Sequence, residues 1–89
     1  MNAIVTVIGR DKVGIIAAVC NHLAARQINV LDISQTILHG SFTMVMMVDL
    51  QLCEADFDVL SKELGELGEA MELNIRIQRE EIFNAMYKI

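Results

Sequence analysis

Gly9-Arg10-Asp11-Lys12-Val13-Gly14-Ile15 is the stretch that decides how this chain reads. The short apolar run at residues 4–8 precedes it, and a run with helical periodicity at residues 16–25 follows it. A strand, a tight turn bracketed by two glycines, and a helix start therefore occur in that order. Glycine relaxes the backbone restriction and lets main chain approach a ligand closely. The first turn of a helix presents N–H groups without internal partners, at the positive end of the helix dipole. The order predicts a place where a carboxylate can sit on backbone alone.

Outward from this turn, residues 3–8 are rich in β-branched side chains and read as a strand, with Ala3, Val5 and Val7 on one face and Ile4, Thr6 and Ile8 on the other. Residues 14–26 place Ile16, Val19, Cys20, Leu23 and Ala24 at helical offsets. Arg26 falls in the last turn, where a cation suits the dipole. Residues 28–38 read as a second strand whose alternation fails near Leu31 and Ile33, the mark of a bulge or of a strand covered on both sides. His39-Gly40-Ser41 signals a turn, and residues 42–50 form a third strand, apolar on both faces. Phe57, Leu60, Leu64, Leu67 and Met71, spaced three and four apart, give the clearest helix, over residues 54–71. Gly65 and Gly68 interrupt it and imply either close packing or an early end. Residues 73–78 alternate, Leu73, Ile75 and Ile77 against Asn74, Arg76 and Gln78, as a half-exposed strand does. Ile82, Phe83, Met86 and Tyr87 mark a short amphipathic helix over 80–89.

The predicted fold is α+β: a ferredoxin-like βαββαβ sandwich, four antiparallel strands with two helices on one face, plus the C-terminal helix. The apolar third strand implies that the tail helix or a second subunit covers the other face. One domain accounts for the 89 residues. Hydrophobic residues make up 54% of them, more than one small core needs, which points to a subunit interface.

The turn within this order resembles that of an ACT domain, through Asp11 and Gly14 of an Asp-x-x-Gly pattern. Gln27-Ile28-Asn29-Val30 entering the second strand, and Phe42-Thr43-Met44 to Val48-Asp49 in the third, extend the resemblance over residues 2–79. The whole chain looks most like small stand-alone ACT proteins and is similar to the ACT regions of glycine-cleavage regulators. The resemblance implies a non-catalytic regulatory protein that binds a small amino acid through Asp11, Val13, Gly14, Ile15 and Asn29. Asp11 would take the ammonium, and Asn29 offers both donor and acceptor. It departs from the family at Val13, where proline is common. Without an attached catalytic domain, regulation is expected in trans, on a protein partner.

A homodimer is expected, joined edge to edge through the second strand or stacked through the open face. The amino acid would lie between residues 11–15 of one subunit and the second strand of its neighbour. The alternative is a protein–protein adaptor with no small ligand, using the acidic second helix or the Met-rich face.

Other chemistries fit less well. Gly9 and Gly14 have phosphate-loop spacing, but Ile15 and Ile16 follow where Lys and Ser or Thr are required. His22 and His39 are the only histidines, and neither they nor Cys20 and Cys53 have metal-ligand or nucleophile spacing. The expectation is therefore no enzyme, no metal and no cofactor, with Cys20 as a buried thiol. A net charge of −5 and seven Lys and Arg argue against nucleic acid, as does a central strand pair with Phe42 as its sole aromatic. The acids at 54–72 read as a solvated helix face. No secretory signal or membrane span is visible, and a cytoplasmic location is expected.

Overall fold

The computed structural model describes residues 1–81. Its elements are β1 (Asn2–Arg10), α1 (Ile15–Ala25), β2 (Asn29–Leu38), β3 (Ser41–Asp49), α2 (Phe57–Met71) and β4 (Leu73–Arg79). The strands form one antiparallel sheet in the order β2-β3-β1-β4, so the βαββαβ expectation holds. From residue 82 onward the expected C-terminal helix lies outside the described residues.

Period-two alternation sorts the sheet into two faces. Ala3, Val5 and Val7 of β1, Met44, Met46 and Val48 of β3, and Ile75 and Ile77 of β4 are buried on the helix side. They pack with Ile15, Val19 and Leu23 of α1 and with Leu60 and Leu64 of α2. Burying each Val, Leu, Ile or Met side chain among them contributes about 1.5–3 kcal/mol. On the far face, Val45 and Met47 are half-buried and Thr43 is exposed, so β3 is covered fully on one side only.

The inward stripe of α1 is rotated from the sequence expectation. Ile15, Val19 and Leu23 face the core, whereas Ile16 is 39% exposed and Ala24 is exposed. The helix begins directly after Gly14, whose left-handed backbone (φ 92°) aims Ile15 rather than Ile16 at the core. Cys20, expected to be buried, is half-buried beside that stripe. In α2, a Cβ at Gly68 would meet the Leu73 carbonyl oxygen at 2.7 Å, so this glycine permits the helix to lie directly on β4. Glu72 (φ 58°) closes α2, and its single left-handed residue turns the chain straight into β4.

The register of β2 on β3 shifts between Val30 and Asp32, so the irregularity near Leu31 is a bulge. Among the described residues nothing covers β2 on both sides, and none of its own residues is buried.

Candidate functional site

The turn lies at what we term the upper end of the sheet, where Gly9 pairs with both Phe42 and Leu73. Two bonds hold it. The Asp11 N–H donates to the Gly40 carbonyl (2.8 Å), tying it to the β2–β3 hairpin. The Lys12 ammonium donates to the Met71 carbonyl at the C-terminus of α2, a favourable position for a cation.

No side chain caps α1: the Asp11 carboxylate does not bond its first turn, and that turn carries no acid. Its leading N–H groups and dipole are thus left to an external acceptor. Beside them is a hollow of about 260 Å³. Asp11, Lys12, Gly14, Ile15, Ile16 and Ala17 form one wall, and Gln35, Ile37 and Phe42 form the other.

Of the five residues singled out in the sequence, Asp11, Gly14 and Ile15 meet here. Val13 lies at the turn's tip, fully exposed. Asn29 is at the opposite end. It pairs with Asp49, which pairs with Asn2, whereas Arg10 pairs with Ser41 near the turn. Eight strand steps separate the ends, about 26 Å. Asn29 instead lines a lower hollow of about 480 Å³ with Gln27, Asp49 and Gln51. Sequence reading missed Gln35, Ile37 and Phe42. The first two alternate on one face of β2, and pairing of Ile37 with Phe42 carries that face to the turn.

Outside the hollows, an ionic cluster among the described residues joins the helices. Arg26 Nε donates to Glu63 Oε1 (2.9 Å), Arg26 Nη2 donates to Glu63 Oε2, and His22 Nε2 lies 3.0 Å from Glu63 Oε1. Hydrogen bonding from Arg26 holds the Glu63 carboxyl below its ordinary range, and the same bond raises Arg26. Glu63 is thus an exception to the solvated acidic face. His39 sits at the hairpin, away from this cluster. Cys20 and Cys53 are free thiols, and among the described residues no three His, Cys, Asp or Glu converge as metal ligands. No helix among them is long and apolar enough to cross a membrane.

Known proteins share this architecture. The chain is 53% identical over its full 89 residues to a UPF0237 protein of Listeria monocytogenes, covering all of both chains. A solved ACT domain protein from Streptococcus pneumoniae superimposes with a TM-score of 0.83 at 42% identity, covering 98% of each chain. The crystal structure of a putative glycine cleavage system transcriptional repressor matches 86% of this chain and 44% of its own, with a TM-score of 0.73 at 19% identity, a likeness of fold alone. The ACT-domain family model matches residues 2–78. With the fold, the turn and this match in agreement, the chain belongs to the ACT-domain family.

Proposed function

We propose that this protein is a non-catalytic regulator that binds a small amino acid at a homodimer interface and acts on a protein partner in trans. The observation that carries the proposal is the bare edge of β2 beside the hollow at the turn. Leu31, Ile33, Ile37 and Leu38 are between 43% and 64% exposed along a ten-residue edge strand. Such an edge invites pairing, and a second copy satisfies it symmetrically.

The pairing also resolves the position of Asn29. A two-fold axis through the midpoint of β2, near Ile33 and Ser34, runs the second strand antiparallel to the first. Asn29 of the second copy then falls beside Ile37 and Leu38, at the end that holds the turn of the first. The uncapped N–H groups of α1 receive the ligand carboxylate, and Asp11 receives its ammonium. Ligand and dimer stabilise each other by mass action.

Titration calorimetry and thermal shift against the twenty standard amino acids, with sedimentation velocity in parallel, test this reading. The expected result is a dimer that one or a few amino acids stabilise. Absence of heat and of any shift with all twenty removes the ligand. The fully exposed Val13 favours a second reading, an adaptor with no ligand. Capture of a stable partner by both wild type and Gly14→Ala would support it.

A further inference from the structure

We infer that residues 82–89 lie across the lower half of the sheet's far face in the same molecule, closing that face against a second copy. The inference goes beyond the regulator reading and holds with or without a ligand. It starts from Ile4. Ala3, Val5 and Val7 face the helices, so the alternate Ile4 faces away from them, yet it is 5% exposed. The core beneath the helices does not include it.

Exposure on the far face follows a gradient. On β1 it rises from Ile4 through half-buried Thr6 to Ile8 at 53%. On β3, Met47 and Val45 are half-buried and Thr43 is exposed. On β4, Gln78 is half-buried, whereas Arg76 and Asn74 are exposed. The three strands are in register: Ile4 pairs with Met47 and Gln78, and Ile8 pairs with Thr43 and Asn74. Cover therefore centres on the lower end of these neighbouring strands. On β2, Asp32, Ser34 and Thr36 share the face and are exposed, so the cover stops short of that edge. The burial is present within a single chain, which rules out a second copy as its source.

The chain leaves the sheet at this same end. Arg79, the last residue of β4, pairs with Ala3, next to Ile4. Residues 80 and 81 have helical backbone. Glu80 and Glu81 stand just before Ile82, Phe83, Met86 and Tyr87, which repeat at helical spacing, and acids suit the start of a helix. As a helix, the stripe from Ile82 to Tyr87 is about 8 Å long. The two strand steps from Ile4 to Thr6 span about 7 Å. The stripe matches the covered half of the face and falls short of Ile8. A face closed in this way restricts self-association to the bare edge of β2. Without the segment, Ile4, Val45 and Met47 would join Ile8 in a second apolar surface, and sheets would stack as well as pair.

Tyr87 is the sole tyrosine and the chain has no tryptophan, so its emission reports on this segment in the unmodified protein. Acrylamide should quench it severalfold less in the native wild type than in the urea-unfolded chain, at every protein concentration. Met47→Asp charges the covered half of the face and should raise quenching to the unfolded level, with circular dichroism unchanged. Thr43→Asp, on the exposed half of the same strand, should leave quenching as in the wild type. A disulfide pair decides independently and puts no charge on the sheet. In a full chain with Cys20→Ser and Cys53→Ser, oxidation of Thr6→Cys/Met86→Cys should cross-link the molecule to itself, seen as a monomeric, faster-running band without reductant. Wild-type quenching equal to that of the unfolded chain, protection that disappears on dilution, or protection that a folded Met47→Asp retains overturns the inference. So does a failure to form the intrachain disulfide. Cross-linking between position 6 of two chains would instead seat a second copy on the face, and cross-linking of position 6 to position 86 of another chain would show exchanged segments; either result overturns it.

Discussion

The two edges of the sheet are built from similarly apolar strands and end in opposite conditions. In β4, Leu73, Ile75 and Ile77 are no more than 8% exposed, and the alternate residues are polar. Gly68 lets α2 lie against that strand, and the Arg79 guanidinium sits 4.5 Å from the centre of the Phe57 ring, joining the end of the strand to the start of the helix. In β2, Ile33, Gln35 and Ile37 register with the buried side chains of Met46, Met44 and Phe42, yet no helix among the described residues covers them. The difference teaches that apolar content marks a strand as needing cover, while the placement of the helices determines whether its own chain supplies it. Among the described residues, one edge is covered by a helix and the other is not.

The largest expected effect breaks the unfinished edge. Ile33→Asp puts a charge at the middle of β2, twice across the proposed two-fold interface, and should weaken the proposed dimer by at least about 3 kcal/mol, near a hundredfold or more in dissociation constant. Sedimentation velocity should show a folded monomer, while Arg76→Asp on β4 leaves the oligomeric state unchanged. The finished edge is tested next. Gly68→Ala forces a Cβ into the Leu73 carbonyl and should cost about 1–3 kcal/mol in urea unfolding. Gly65→Ala, one turn away with nothing within 4 Å, should instead stabilise by up to about 1 kcal/mol.

Between the edges lies the turn. Gly14→Ala meets no atom within 4 Å, so its cost is the left-handed backbone alone, about 1–2 kcal/mol, measured by the same unfolding curves. Glu63→Gln should have the smallest effect. The Glu63 carboxyl is held below its ordinary value by Arg26, so its contribution is present above the unfolded glutamate pKa of about 4.3 and is lost as pH falls through the lower folded value. Unfolding curves for wild type and Glu63→Gln should therefore differ at neutral pH and converge in acid.

Much of this was legible in the sequence. Clean periods in β1, α2 and β4 and the two glycines of the turn suffice for the element order, and a break in alternation located the bulge at Leu31. The inward stripe of α1 was not legible, because Ile15 and Ile16 are adjacent and identical. Only the left-handed Gly14 decides between them. Lys12 and Met71 stand far apart in sequence, and no local pattern announces their bond. Among the many acids of residues 54–72, nothing in the sequence distinguishes Glu63, which is selected by the approach of α1. Asn29 is the instructive case. A strand running up and a helix running back down must start the next strand at the far end, so topology separates it from the turn within one chain, whereas the family resemblance implied only that both contact one ligand.

The bond from Lys12 to the Met71 carbonyl gives the turn a mechanical role at a distance. It spans from the loop after β1 to the last turn of α2, and Glu72 then leads directly into β4. Anything that steadies the turn should therefore slow amide hydrogen exchange at the end of α2 and the start of β4, an edge that no ligand at the hollow touches. Protection at these positions would be the signature of this strut, and it would give a partner reading α2 a way to sense occupancy of the turn.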